Sequence, residues 1–295
     1  VGVESKTNTH DKVKGIDLRE LFEELQSHGI AVLASTILFQ DHHDADTIID
    51  EINWVNSLNS DMVQFMNYTP WPTTGLYEKL ESEGRLKQIP YRNQHGAGEL
   101  SFDHPHFKNA SDHEKYLYNA FKSKYRNGGP AIMKMARTAA RGYIKAVSDC
   151  EIRENTGLKW NNTTICYEKT ASPVTDDFMR ARIVMMRNEA LRYRPALFAA
   201  MLFSPTSITR RLSLDTIRLY NNTFGRPGLK DKIKSAVILV SACIESLRII
   251  FSWIARREGI IRQPSLHRVE YGADTSAVTG GADAVPGTRR IITQK

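Results

Sequence analysis

The period of the apolar positions switches again and again along the first part of the chain. Val1-Gly2-Val3-Glu4-Ser5 is a short apolar run of β type, Asp17 to His28 places its apolar residues at helical spacing, and Ile30 to Leu38 is almost continuously apolar or small. Ala45 to Leu58 returns to helical spacing, Met62 to Thr69 reads as a strand, and Gly75 to Glu83 reads as a helix. Such alternation predicts parallel strands joined by helical crossovers, because parallel neighbours need a connection of that length. Local signals agree with the periods. Asp17 and Glu20 resemble a capping box, Leu18, Leu21, Phe22 and Leu25 then form one stripe, and Gly29 stops the helix. Asp44 or Asp46 can cap the next helix, which turns Ile48, Ile49, Ile52, Val55 and Leu58 toward the sheet. Pro70-Trp71-Pro72 ends the third strand. Three βα units are too few to close a barrel, and a bare sheet edge invites unwanted pairing. The chain is therefore expected to be the back part of a larger α/β enzyme.

Residues 84–110 form a polar connection rich in His, Gly and Asn, expected to cross the mouth of the α/β layer. Ser111 and Glu114 suggest a second capping box, opening a helix through Tyr125 that Gly128-Gly129-Pro130 breaks. Another helix is expected to about Ser148, an irregular stretch over 150–175, and helices over 176–193, 196–203, 207–220 and 229–257. From Gln263 the apolar periodicity is lost, which predicts a disordered tail. The expected organisation is thus α/β over 1–110, α-helical over 111–262, and a tail over 263–295.

Composition narrows the classes. A chain of 295 residues with 41% hydrophobic and 25% charged residues reads as ordinary globular protein. The formal charge of +7 comes with Lys and Arg that are dense after about residue 130, and a solvated basic face is the expected reading, with no specific nucleic acid as partner. Cys150, Cys166 and Cys243 fit no zinc or iron–sulfur spacing and no disulfide framework, which points to a reducing, cytoplasmic setting. Ala236 to Ile254 is the most apolar late stretch, but Glu245 and Arg248 argue against a membrane span, and a buried helix is expected there ahead of one lying on a membrane.

Ligands of parallel sheets sit at the carboxyl ends of the strands. Glu4-Ser5, Ser35 to His43 and Asn67 to Thr74 fall there. Glu4 is suited to ribose hydroxyls, and Gln64 and Asn67 to an amide or base edge. Asp41-His42-His43-Asp44 is the densest group of metal-ligand types, yet adjacent extended residues point to opposite faces, so His42 and His43 are poorly placed to share one ion. Substrate contact by His42 or His43, with Asp44 capping the helix, is the expected use, and no metal site is expected. His95, His104, His106 and His113 are scattered in and just beyond the connection, and His104-Pro-His106 could line a pocket, although a surface loop is the expected reading. No glycine-rich phosphate loop, serine elbow or zinc-protease helix occurs.

In their order, Gly2-Val3-Glu4-Ser5, Gly29-Ile-Ala-Val-Leu-Ala-Ser-Thr-Ile37 and Gln64-Phe-Met-Asn-Tyr-Thr-Pro-Trp-Pro72 resemble the last three barrel strands of radical S-adenosylmethionine (SAM) enzymes, best the cobalamin-binding subgroup. Leu76-Tyr-Glu-Lys-Leu80 with Glu83-Gly-Arg-Leu86 resembles the stretch after that family's Thr-Pro-x-Pro-Gly-Thr, and Asn127-Gly-Gly-Pro130 with Met135-Ala-Arg-Thr138 and Gly142-Tyr143 resembles its helical region. The likeness covers about residues 1 to 145. It implies the C-terminal half of a partial (β/α)6 TIM-like barrel. It also implies SAM, a [4Fe–4S] cluster held by a Cys-x3-Cys-x2-Cys loop expected upstream, and cobalamin on an upstream domain. SAM would be met by Glu4, Ser5, Ser35, Ile37 and Gln64, and by Met66, Asn67 and Tyr68 largely through backbone, and the substrate by His42, His43 and Trp71. The implied reaction uses a 5′-deoxyadenosyl radical to modify, for instance methylate, an unactivated carbon of an apolar or lipid-like molecule, with a reductant protein as partner and peripheral membrane contact. Without the cysteine loop the isolated chain is expected to be inactive. The chain departs from the family in two loops: Leu38-Phe39-Gln40-Asp41 stands where glycine is usual, and Pro72-Thr73-Thr74 replaces Pro-Gly-Thr. Rival readings are a metal-dependent barrel lyase or hydrolase using Asp41, His42 and His43, and a basic helical module for membrane or nucleic acid.

Overall fold

A computed structural model describes residues 1–6, 13–89, 96, 99–171 and 173–254. The expected tail over 263–295 and the last residues of the helical region lie outside these. Strands β1 (Gly2–Glu4), β2 (Leu33–Leu38) and β3 (Met62–Asn67) alternate with helices α1 (Leu18–Ser27), α2 (Ala45–Ser57) and α3 (Gly75–Ser82). The strands form one parallel sheet in the order β1-β2-β3. In β2 and β3 the pairing runs from Leu33 with Met62 to Leu38 with Asn67 without a slip. The fold is α/β as expected.

The caps explain why the helices start where they do. Asp17 accepts from the Arg19 and Glu20 backbone N–H groups. Asp44, rather than Asp46, caps α2, and Thr47 returns the bond to complete the capping box. Helix α4 (Ala110–Gly128) corrects one expectation: its N-cap is Asn109, which makes no side-chain cap bond. Gly129, at φ 75°, ends α4, and Pro130 precedes α5 (Ala131–Thr156). Helix α5 extends past Ser148 because Gly157 closes it only at φ 75°.

The stretch expected to be irregular instead contains the antiparallel pair β4 (Leu158–Asn161) and β5 (Cys166–Lys169). Trp160 holds it together, with its ring 5.2 Å from Tyr167 and stacked 5.1 Å from Phe178. Helices α6 (Asp177–Tyr193), α7 (Leu197–Leu202), α8 (Ser207–Phe224) and α9 (Leu229–Ile254) follow.

The chain divides into two units, Val1–Ala242 and Cys243–Lys295. In the first unit, one core lies between the sheet and its helices, where Val3, Phe22, Ala34, Leu38, Ile48, Val55 and Phe65 are buried. A second lies among the later helices, around Met133, Ala136, Leu197 and Tyr220. The two regions meet where the backbone of Gly142 in α5 lies against Gly29, so close that a Cβ on Gly142 would fall 2.2 Å from the Gly29 Cα. The described part of the second unit is the end of α9.

Helix α9 also corrects an expectation. Leu229, Ile233, Val237 and Val240 are exposed, at spacings of four, four and three. This part of α9 is not the buried helix the composition suggested. The more sheltered side of the same turns carries Asp231, Ser235 and Leu239. Among the described residues no helix is long and apolar enough to cross a membrane.

Candidate functional site at the carboxyl ends of the strands

The sheet has two unlike faces. Along β2 and β3 the alternation turns Ala34, Thr36, Leu38, Phe65 and Asn67 into the helix-covered side. Ser35, Ile37 and Met66 on the other side remain half-exposed, and Gln64 and Leu33 are exposed. Parallel sheets are normally covered on both faces, and among the described residues this face is covered only in part. Ser35 Oγ lies 3.7 Å from Met66 Sδ across the two strands. Gly96 of the connection sits over Met66, and its carbonyl accepts from the Asn67 backbone N–H. The structure therefore gathers Ser35, Ile37, Gln64 and Met66 into one accessible patch.

The remaining cofactor candidates are placed differently. Ser5 is buried and donates to Glu51 Oε2 at 3.2 Å, on the helix side. Glu51 also accepts from the Lys6 N–H at 2.9 Å on each oxygen and from Thr36 Oγ1 at 3.3 Å. Burial pushes the Glu51 carboxyl up, and these donors oppose that. The carboxylate thus ties the exit of β1 to β2 and α2. Glu4 holds φ 55°, and its carbonyl accepts from Thr36 Oγ1 at 2.9 Å. Asn67 is buried beside Phe65, while Tyr68 is half-buried with its ring 6.3 Å from Phe102. Burial pushes the Tyr68 phenol up.

Of the substrate candidates, His43 is buried. Its Nδ1 accepts from the Gln40 N–H at 3.0 Å, which leaves the proton on Nε2, a buried atom without a hydrogen-bond partner among the described residues. Desolvation, helped by neighbouring His42, holds it down at about 4, so His43 is neutral near pH 7. The His42 ring lies 4.3 Å from it. His104 belongs to the same group rather than to a surface loop: it is buried, its Nε2 lies 3.0 Å from the Gln40 carbonyl, and its Nδ1 accepts from the His106 N–H. Trp71 stands 44% exposed beyond the end of β3.

Asp41 is engaged by cations. Arg85 donates to its two oxygens at 2.6 and 3.1 Å, and Lys79 approaches at 3.2 Å. The Arg85 hydrogen bonds hold the Asp41 carboxyl down at about 2. Among the described residues no three His, Cys, Asp or Glu side chains converge as a metal site would require.

The loops that follow β2 and β3 carry left-handed backbone. Thr73 has φ 68°, and Phe39, in the loop after β2, has φ 63°. A β-branched residue there is a conformational outlier, one that glycine adopts without penalty. Phe39 is fixed by packing, its ring 5.2 Å from Phe107.

Sequence reasoning did not single out Glu51, Lys79 or Arg85. For Glu51 a signal existed, since a carboxylate three residues after Ile48 and one before Ile52 falls on the apolar stripe of α2. For Arg85 none did, because its partner lies 44 residues away. Comparison with protein-family models, with curated proteins and with solved structures gave no match to the chain.

Proposed function

We propose that this chain is the SAM-facing part of a radical SAM enzyme barrel, of the cobalamin-binding type, acting on an apolar or lipid-like small molecule. The observation that carries the reading is the partly exposed face of the parallel sheet, where Ser35, Ile37, Gln64 and Met66 lie side by side with Gly96 over Met66. A closed barrel turns this face inward and would shield its exposed positions. Thr73 and Phe39 support the family likeness, because their backbone keeps a glycine-like conformation in the loops where the family has glycine.

The patch fits one implied group and not another. Ile37 and Met66 offer apolar contact to an adenine ring, Ser35 a hydroxyl, and Gln64 an amide that pairs with a base edge. When bound, SAM supplies the radical chemistry. The chain's own part is to bind the adenosine end, orient it and exclude water, as proteins do for cofactors generally. Glu51 contributes by fixing the β1 exit, and neutral His43 can donate from Nε2. The cysteines do not suit a [4Fe–4S] cluster: Cys150 is buried in α5, Cys166 lies in β5 and Cys243 in α9. No step through the cluster is assigned to these residues, and turnover needs cysteines from elsewhere. A reductant protein, a cytoplasmic setting and peripheral membrane contact belong to the same proposal.

Equilibrium dialysis with radiolabelled SAM tests the reading. The chain should bind saturably, and Ile37→Trp, which fills the patch without entering the core, should weaken binding at least about tenfold, the loss expected from one blocked contact surface. Absence of binding, or binding indifferent to Ile37→Trp, would refute it.

A further inference from the structure

A second candidate ligand site lies at the opposite end of the sheet and does not depend on the proposal above. A cleft of about 170 Å³ opens between α5 and α6, beside His28 at the end of α1. His28 precedes β2, so the cleft lies toward the amino ends of the strands. Lys145, Arg153 and Arg182 line it, against the single carboxylate of Asp149.

The local ion pairs leave a surplus of positive charge. Asp149 is matched by Lys145 at 3.7 Å. Glu154 is occupied by Arg180, at 2.7 and 2.8 Å, and by the Asp176 N–H. Asp176 is buried, caps α6 through the Met179 N–H, and does not line the cleft. Arg153 and Arg182 are thereby left with no carboxylate partner among the described residues. Arg153 is also held in place, its guanidinium 3.9 Å over the Tyr167 ring in β5. That stacking and a polar contact with the Tyr167 side chain fix the plane of the fork, whose five N–H donors exceed what this one contact uses. Buried Met179 forms part of the wall, which lowers the local dielectric and strengthens attraction for an anion.

We propose that this cleft is a binding site for a phosphate group, taken by the forks of Arg153 and Arg182 with Lys145 as a third cation. Two guanidiniums facing one small cleft match the tetrahedral, multiply charged oxygens of a phosphate monoester better than a single carboxylate. The cleft admits a compact head group. The β4–β5 pair, which carries Tyr167, then has a role in positioning the Arg153 fork.

The test is a thermal-shift and calorimetric titration of the full chain. The probes are inorganic phosphate, glycerol 3-phosphate, and phosphatidylcholine vesicles with and without phosphatidic acid, each against chloride at matched ionic strength. Exposed Arg182 is replaced in Arg182→Ala, and Arg153→Lys keeps the charge but loses the fork. Phosphate and glycerol 3-phosphate should stabilise the wild type more than chloride, and each substitution should weaken binding about tenfold, the value of one charge-assisted contact. Binding only to vesicles containing phosphatidic acid, lost in Arg182→Ala, would support the same site with a lipid head group as the source. No phosphate-specific effect from any probe, or one unchanged in both variants, overturns the proposal.

Discussion

Removing the Asp61 carboxylate should loosen the joint between the sheet and the helical region more than any comparable surface change. Asp61 is buried just before β3 and accepts from three elements: Gln26 Nε2 of α1 at 2.9 Å, the Val32 N–H at 2.8 Å, and Thr138 Oγ1 of α5 at 2.7 Å. Two half-buried lysines share this neighbourhood. Lys124 of α4 donates to the Ser60 carbonyl at 3.0 Å, and Lys134 of α5 donates to the same carbonyl at 2.7 Å. Asp61→Ala strands three donors and removes the nearby countercharge for both ammoniums. Breaking a buried charged network by deleting one partner costs about 3–5 kcal/mol. For a unit of this size each kcal/mol moves Tm by about 2–4 °C, so a fall of roughly 6–20 °C is expected. Asp61→Asn keeps the volume and one acceptor, and its loss should be smaller. The pH dependence gives a second readout. Burial holds the Lys124 ammonium down at about 7, against an ordinary 10.5. Between these values the unfolded chain binds more protons than the native one, so this site's contribution to stability rises with pH from about 7 toward 10.5. Lys124→Met should flatten that rise. Urea melts from pH 6 to 10 measure both effects. A loss below about 1 kcal/mol in Asp61→Ala would refute the view that this carboxylate pins the regions together, since exposed polar changes cost no more than that.

Three further outcomes are expected. Gly142→Ala should destabilise the chain in thermal melts despite alanine's helix preference of about 1 kcal/mol, because the added Cβ meets Gly29 backbone at 2.2 Å and overpacking there costs more. Thr73→Gly should raise stability by about 1 kcal/mol in the same melts, by relieving the φ of 68°. Asp41, held near 2 by Arg85, stabilises the fold above its ordinary 3.8 and loses that contribution as pH falls toward 2; Asp41→Asn should therefore show a shallower acid transition by circular dichroism.

Much of the α/β layer was legible because its signals are local. The βα periods, Asp44 before α2 and Gly129 after α4 all declare themselves within a turn of chain. The β4–β5 pair was not, since four-residue strands show no period and depend on Trp160 stacking on Phe178, which lies in α6. The exposure of α9 was hidden for the opposite reason: its apolar stripe is plain in the sequence, but whether a partner covers it is tertiary information. At the candidate site, Ser35, Ile37, Gln64 and Met66 could be read from strand alternation once the strands were placed. The Glu51 hub and the Asp41–Arg85 pair join residues 46 and 44 positions apart, beyond the reach of any local pattern.

The central claim is that the partly exposed sheet face receives the adenosine end of SAM, and methionine methyl resonances report on it directly. The chain has 8 methionines, with Met66 on the open face and Met133 and Met179 in buried positions. In a sample labelled at the methionine ε-methyl carbons and assigned with Met66→Leu, added SAM should shift the Met66 signal through the adenine ring current and leave Met133 and Met179 in place. A Met66 resonance that stays fixed while SAM is saturating, or shifts confined to other methionines, would contradict the account.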